Sequence, residues 1–124
     1  MDASAFVKLV LAEAETPALV TALTGAARLV ASEILEVEVL RATRRGGGDT
    51  GIARAQLEVV RLLPLDESTR ARAGELTPAT VRSLDAIHVA SALSLGERLD
   101  GFYTYDERMA AAAREAGLDV RAPA

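Results

Sequence analysis

The chain has 124 residues, which fits a single domain over residues 1–124 and leaves little room for a second. Half of the residues are apolar and none is cysteine, so a hydrophobic core can form, whereas disulfides and thiolate zinc sites are excluded. The net charge of −4 lacks the basic excess that is typical of nucleic-acid-binding proteins. No apolar run approaches the roughly 20 residues of a membrane span, and no basic leader precedes an apolar stretch, so we expect a cytoplasmic protein without a membrane anchor.

Helical and strand-like stretches alternate along the chain. Apolar residues spaced for one buried face, together with capping residues, predict seven helices: residues 4–13, 16–24, 32–45, 50–60, 67–76, 81–95 and 107–117. Short apolar runs predict four strands: residues 28–31, 61–65, 101–105 and 119–121. Thr16, Ser32 and Asp106 are the predicted N-caps of their helices.

The alternation of strands and helices predicts the class of fold. Parallel strands need long crossover connections, which helices usually supply, so we expect an α/β fold with a mostly parallel central sheet covered by helices on both faces. The chain has no internal repeat and no linker. The glycine-rich stretch at residues 46–51 is expected to be a mobile loop.

One acid in the third predicted helix lies where the core should be. At 100° per residue, Glu38 falls inside the apolar sector that Leu35 and Val39 help to define. Because an unpaired buried carboxylate is costly, Glu38 must be protonated, paired or bound to a metal ion. A salt bridge to Arg41 or Arg45 is the alternative to a metal.

The helix predicted over residues 81–95 is apolar nearly all round, which indicates burial. Asp85 lies in its first turns, where a capping role and a functional role are both open. His88 follows three residues later, so an Asp-x-x-His metal-binding pair is one interpretation. A core histidine that is hydrogen-bonded to the backbone or to a neighbour is the commoner one.

Two further aspartates stand where strands are expected to end. Asp106 follows the predicted strand at residues 101–105, and Asp2 precedes the first helix at the place where a first strand should end. Ligands of open α/β folds bind beyond the carboxyl ends of the strands, although capping explains Asp106 equally well. Four acids thus stand at a strand end or on a buried helix face.

Carboxylates that cluster repel one another unless a cation neutralises them. Oxygen ligands without a thiolate favour Mg²⁺ or Mn²⁺ over zinc. A site of four acids would leave 14 of the 18 acidic side chains to balance the 14 basic ones. An ion of this kind can activate water and stabilise charge on a phosphodiester, but the spacing alone does not identify a substrate.

Four segments carry a resemblance to a known family: Asp2-Ala3-Ser4-Ala5 with Lys8, Ser32 through Val37-Glu38-Val39 to Ala42, Leu84-Asp85-Ala86-Ile87-His88-Val89-Ala90, and Thr104-Tyr105-Asp106. In this order and spacing, the sequence resembles the PIN-domain family, in particular the VapC toxins of VapBC toxin–antitoxin systems, over essentially the whole chain. The combination of LDAIHVA with the downstream TYDERM is its most specific part.

The resemblance implies a PIN-like three-layer sandwich and a ribonuclease site. It implies metal-binding, catalytic acids at four positions: Asp2, Glu38, Asp85 and Asp106. It also implies that Ser4 and Thr104 help to orient the site, through hydroxyl hydrogen bonds.

The activity and partners that the resemblance implies are those of a toxin. The chain would be an Mg²⁺- or Mn²⁺-dependent endoribonuclease that cuts single-stranded RNA, often a tRNA or another structured RNA at one place. It would form homodimers and bind a small antitoxin protein, whose C-terminal segment occupies the active-site groove. Four arginines are candidates for phosphate contacts, with an ordinary solvated helix face as the alternative: Arg41, Arg44, Arg45 and Arg54.

The N-terminus departs from the family pattern. Family members carry several apolar residues before the first aspartate, whereas only Met1 precedes Asp2 here. We therefore expect the first strand to be short or missing.

Two other classes of function compete with the nuclease. A phosphoryl-accepting signalling domain shares the α/β form, but it needs a lysine late in the chain, and Lys8 is the only lysine. It also needs a second acid beside Asp2, where Ala3 stands. A degenerate PIN module that binds antitoxin or RNA without cutting is favoured by the short N-terminus and opposed by the presence of all four acids.

Overall fold

The computed structural model describes residues 1–124. Its seven α-helices are α1 (Ala3–Leu11), α2 (Thr16–Leu23), α3 (Ile34–Arg45), α4 (Thr50–Leu57), α5 (Glu67–Gly74), α6 (Ser83–Leu93) and α7 (Glu107–Glu115). Its four strands are β1 (Leu29–Ser32), β2 (Val60–Leu63), β3 (Phe102–Tyr103) and β4 (Val120–Arg121), and a 3₁₀ turn covers Gly96–Arg98. None of the helices has both the length and the apolar character that crossing a membrane requires.

The strands form two parallel pairs that the first two residues join. β1 pairs with β2, and β3 pairs with β4. Between the pairs, the nitrogen of Met1 donates to the carbonyl of Val30 at 3.0 Å, and the nitrogen of Asp2 donates to the carbonyl of Tyr103 at 3.1 Å. The hydrogen-bonded layer therefore runs in the order β2, β1, residues 1–2, β3, β4, which confirms the predicted parallel arrangement.

Two apolar clusters cover the opposite faces of this layer. The first packs α1, α3 and α4 against β1 and β2 around the fully buried Phe6 and Leu35. The second packs α6 and α7 against β3 around Val89 and Phe102. Tyr103 contacts the first cluster, whereas its neighbour Phe102 belongs to the second, because successive side chains of a strand point to opposite faces. The three-layer α/β class is confirmed.

The predicted N-cap of α2 is wrong, whereas the predicted N-cap of α3 does contact the first turn of its helix. The cap position of α2 is Glu15, and the Thr16 hydroxyl instead donates to the carbonyl of Lys8 at 2.5 Å, which ties α2 to α1. Ser32 is the last residue of β1 and Glu33 is the cap position of α3, yet the Ser32 hydroxyl accepts from the nitrogen of Ile34 at 3.4 Å, as expected of an N-cap side chain. The Thr16 hydroxyl instead makes a tertiary contact that a local capping pattern does not reveal.

Several element ends also differ from the prediction. Val60 belongs to β2 rather than to α4, since its backbone pairs with Leu29 and this pairing overrides the helical spacing of apolar residues. The helix predicted over residues 81–95 is shorter at both ends, and Leu84 in its first turn is 49% exposed, so it is not buried all round. The predicted strand at residues 101–105 is shortened to Phe102–Tyr103, although the nitrogen of Thr104 still donates to the carbonyl of Arg121 at 3.2 Å.

Candidate active site

Asp2 is the centre of a buried polar network that links α1 to the segment after β3. The residue is 3% exposed. Its Oδ1 accepts hydrogen bonds from the Ser4 hydroxyl at 2.8 Å and from the backbone nitrogen of Ala5 at 3.2 Å, so it also caps α1. Its Oδ2 accepts from the Thr104 hydroxyl at 2.8 Å. The Asp2 carboxylate is therefore fixed from two sides.

Ser4 and Thr104 extend this network to Asp106. Their hydroxyls lie 3.2 Å apart. The Ser4 hydroxyl accepts from the nitrogen of Tyr105 at 2.8 Å, and the Thr104 hydroxyl accepts from the nitrogen of Asp106 at 3.1 Å. The two hydroxyls thus hold the backbone that carries Asp106 against Asp2.

Asp106 is the N-cap of α7, as one interpretation of the sequence expected. Its Oδ1 accepts from the backbone nitrogens of Arg108 at 2.8 Å and Met109 at 3.1 Å. Both bonds end on one oxygen, so the second oxygen remains available to a ligand. Capping and a functional role are compatible at this residue.

Asp85 is half-buried in the first turn of α6 and accepts no hydrogen bond within the protein, so it is not a capping residue. Burial raises the pKa of Asp85, and the negative charge of Asp106 raises it further. The nearby positive charges of Arg82 and Arg108 act in the opposite direction on this pKa. Asp85 and Asp106 therefore lie close enough to repel each other, and a cation would relieve that repulsion.

Glu38 is partly buried on α3 and pairs with His88 rather than with an arginine. Oε2 of Glu38 lies 2.5 Å from Nε2 of His88, while neither Arg41 nor Arg45 forms a salt bridge. The predicted alternative of an arginine bridge is therefore wrong. His88 is 3% exposed and bonded to a neighbour, which agrees with the core-histidine interpretation.

The chemical character of the four acids suits a hard divalent ion better than their spatial arrangement does. All four are oxygen donors with no thiolate among them, and Asp85 and Asp106 repel each other. However, no group of three or more acidic or histidine side chains is arranged to hold one ion. The four acids are linked indirectly. Thr104 hydrogen-bonds both the Asp2 carboxylate and the backbone of Asp106, and the charge of Asp106 acts on Asp85. Asp85 shares α6 with His88, which is the partner of Glu38.

The four predicted RNA-contact arginines share one surface. All are exposed, and they line a groove between α3 and α4 together with Val37, Leu40 and Thr50: Arg41, Arg44, Arg45 and Arg54. Only Arg54 has an acidic partner, a 3.4 Å contact to Glu36. The remaining three guanidinium groups form no ion pair, so positive charge is concentrated on this surface.

Lys8 has a structural role that the sequence did not reveal. Its ammonium group binds Glu13 at 2.6 Å and Glu15 at 3.0 Å, and it lies 4.7 Å from the centre of the Tyr105 ring. The hydrogen bond to Glu13 is the main cause of a raised pKa of Lys8. Because these partners hold it away from solvent, Lys8 does not match the free lysine that a phosphoryl-accepting domain needs.

Comparisons with known proteins agree on one family. The family model described as PIN domain matches residues 1–115. Ribonuclease VapC47 of Mycobacterium tuberculosis (strain CDC 1551 / Oshkosh) is 40% identical over 129 residues, covering 99% of this chain and 95% of that protein. Ribonuclease VapC46 of M. tuberculosis (strain ATCC 25618 / H37Rv) is also 40% identical, over 124 residues with the same coverage.

A solved structure agrees at the level of the fold. The crystal structure of M. tuberculosis VapC20, described as a sarcin-ricin loop cleaving toxin, superposes with a TM-score of 0.73 at 19% identity. The match covers 94% of this chain and 93% of that one. These likenesses displace the phosphoryl-accepting alternative. The chain belongs to the PIN-domain family and is related, over nearly its whole length, to the VapC ribonucleases.

Proposed function

We propose that this chain is a metal-dependent endoribonuclease, the toxin of a toxin–antitoxin pair, which hydrolyses RNA phosphodiester bonds. The observation that carries the proposal concerns Asp85 and Asp106: the half-buried Asp85 carboxylate has no hydrogen-bond donor, and burial and the negative charge of Asp106 both raise its pKa. Such a pair costs stability unless a ligand uses it, and perturbed carboxylates of this kind concentrate at functional sites. The ribonuclease names of relatives at 40% identity support RNA as the substrate.

Four acids would hold the ion, which we propose to be Mg²⁺ or Mn²⁺: Asp2, Glu38, Asp85 and Asp106. When bound, a divalent ion lowers the pKa of a water molecule and stabilises negative charge on the phosphodiester. The preference for these ions follows from the all-oxygen donor set.

The protein contributes orientation. Asp2 is fixed by the Ser4 and Thr104 hydroxyls, and Asp106 is fixed by the first turn of α7, so neither carboxylate needs to reorganise extensively. Asp85 keeps both oxygens free of protein donors. Ser4 and Thr104 are supporting residues that act through Asp2 and through the backbone of Asp106.

Attack by water is favoured over attack by the RNA's own 2′-hydroxyl. The second route needs an acid and a base beside the ribose, commonly two imidazoles. This chain has one histidine, which is buried against Glu38. The carboxylates therefore carry the chemistry.

RNA would run across the groove between α3 and α4. Arg41, Arg44 and Arg45 are exposed and unpaired there, and Arg54 lies on the facing helix. Arginine binds phosphate through several donors at once. The exposed Val37 adds apolar surface to the lining of this groove.

The partners that we propose follow from the family rather than from contacts in the structure. A small antitoxin would cover the active-site groove, and two copies of the chain would form a homodimer in the cytoplasm. Light scattering of the chain alone and with its antitoxin measures both assemblies.

A non-catalytic PIN module is the second candidate. One observation favours it: no three acids are arranged to hold a single ion. Such a module would bind antitoxin or RNA without cutting.

The test is cleavage of a pool of cellular RNA by antitoxin-free protein with Mg²⁺ or Mn²⁺. EDTA and Asp85→Ala serve as parallel controls. The proposal expects cleavage that both controls abolish. Absence of cleavage combined with retained RNA binding would support the non-catalytic module instead.

A further inference from the structure

The contact between His88 and Glu38 joins two elements that the chain separates by 50 positions. Nε2 of His88 lies 2.5 Å from Oε2 of Glu38, and the two side chains are 2% and 25% exposed. Nδ1 of His88 is also inaccessible to solvent, and it has no hydrogen-bond partner. The imidazole therefore has one polar contact, and that contact is Glu38.

The missing partner at Nδ1 indicates which nitrogen carries the proton. A neutral imidazole has one N–H donor and one acceptor nitrogen. A proton on Nδ1 would leave a buried N–H without an acceptor, and it would set the bare Nε2 against the oxygens of Glu38. A proton on Nε2 gives the carboxylate a donor and leaves only a lone pair unmatched at Nδ1, which is the less costly of the two arrangements.

We propose that His88 is a positioning residue, which donates from Nε2 to Oε2 of Glu38 and fixes the orientation of that carboxylate in the active site. The proposal rests on the proposed function, because Glu38 is one of its four metal-binding acids. His88 itself binds no metal in this arrangement.

The geometry of α6 explains why this position suits the role. Residues three apart on a helix lie on the same side, so α6 presents Asp85 and His88 together. The hydrogen bond therefore connects the acid of α3 to the helix that carries Asp85. A buried imidazole has few rotamers, whereas the exposed Arg41 would have to order a long side chain to do the same.

The tautomer can be observed directly, because His88 is the only histidine of the chain. Long-range ¹H–¹⁵N correlation spectra of the untagged full chain at neutral pH report which ring nitrogen is protonated. The proposal expects the proton on Nε2, and a shift of that resonance in Glu38→Gln. A proton on Nδ1 would overturn it.

The effect on the metal site is measured with Mn²⁺ in the absence of RNA. Free Mn²⁺, followed by electron paramagnetic resonance, gives the dissociation constant for the parent, His88→Gln, His88→Asn and His88→Leu. The glutamine amide reaches the place of Nε2, whereas the asparagine amide is one methylene shorter. Loss of a hydrogen-bond partner behind a metal ligand typically weakens metal affinity roughly 10- to 100-fold, so we expect this loss for Asn and Leu, and a value within about threefold of the parent for Gln.

The outcomes separate this proposal from the proposed function. A parent that binds no Mn²⁺ and cuts no RNA overturns both. A parent that binds Mn²⁺ and cuts RNA, with a folded His88→Leu variant of equal Mn²⁺ affinity, overturns only the role of His88. If His88→Leu does not fold, the comparison of the Gln and Asn variants decides, since equal losses in the two would indicate a merely structural role.

Discussion

The hydroxyl of Thr104 donates a 2.8 Å hydrogen bond to Oδ2 of Asp2, across 102 positions of sequence. The same hydroxyl accepts from the nitrogen of Asp106 at 3.1 Å, so one oxygen atom contacts two of the proposed catalytic acids. Thr104 is 1% exposed. Its role is therefore both structural and functional, because the loss of the hydroxyl removes one donor from the buried Asp2 carboxylate and leaves the backbone nitrogen of Asp106 without a partner.

Replacing Thr104 by valine should destabilise the fold and the site together. Valine preserves the shape but leaves buried polar groups unsatisfied, which costs about 1–3 kcal/mol in the free energy of unfolding. Urea unfolding measures the loss, and RNA cleavage should fall as well. Thr104→Ser keeps the hydroxyl and serves as the control. Equal urea midpoints for the two variants would contradict the assigned role.

Replacing Asp85 by asparagine should stabilise the metal-free protein while it abolishes cleavage. Burial and the charge of Asp106 raise the pKa of Asp85, so the folded state holds that proton more tightly than the unfolded chain. The resulting penalty is absent below the ordinary value of 3.8, grows as pH rises, and is complete above the raised pKa.

Thermal unfolding without divalent metal measures this effect. Asp85→Asn should melt a few degrees above the parent at pH 7, and the two should converge in acid. Added Mn²⁺ should raise the melting temperature of the parent and not that of the variant. A variant that melts below the parent at pH 7 would refute this account of Asp85.

Removing positive charge between α3 and α4 should weaken binding to the same extent for all RNA sequences. In an Asp85→Asn background, which should not cut, Arg41→Gln with Arg44→Gln should lower affinity and reduce the salt dependence. The expected change in the logarithmic slope is roughly 0.7 for each lost phosphate contact to a single strand. Fluorescence anisotropy over a salt series measures it. Arg72→Gln, an exposed arginine on α5, is the matched control, and an equal effect there would argue against the groove.

The glycine-rich loop is packed at one position. A Cβ on Gly48 would lie 2.9 Å from side-chain carbons of Leu11 and Thr43, whereas one on Gly74 would meet nothing within 4 Å. Gly48→Ala should therefore cost about 1–3 kcal/mol of stability by overpacking. Gly74→Ala, at the end of α5, should be neutral or stabilising by about 0.5–1 kcal/mol. Urea unfolding of both variants measures these effects. A Gly48→Ala variant as stable as the parent would show that the loop shifts to accommodate the added methyl group.

The class of fold could be predicted from the sequence, but several element ends could not. The alternation of helices and strands depends on local apolar spacing, which the printed sequence displays. Val60 was assigned to a helix because its spacing fits one, yet the backbone pairing with Leu29 places it in β2. Such pairing depends on a residue more than thirty positions away, so no local pattern contains it.

In the candidate site, too, some residues could be predicted from the sequence and some contacts could not. Asp2, Asp85 and Asp106 could be selected because each stands at a strand end or in a buried first turn. Glu38 could be selected from its position on an apolar helix face, but its partner could not. The pattern offered nearby arginines, whereas the partner is His88 on another helix. Two polar residues on two apolar helix faces were the available signal, and only the tertiary fold pairs them.

The chemistry of the cut RNA ends tests the central claim most directly. Hydrolysis by water leaves a linear phosphate monoester at one new end and a free hydroxyl at the other, whereas attack by the 2′-hydroxyl leaves a 2′,3′-cyclic phosphate. End-group analysis of RNA cut by the parent in Mn²⁺ should find linear phosphate only, with no cutting by Asp85→Ala or in EDTA. Cyclic phosphate ends, or cutting that survives in Asp85→Ala, would contradict a nuclease site built from these carboxylates.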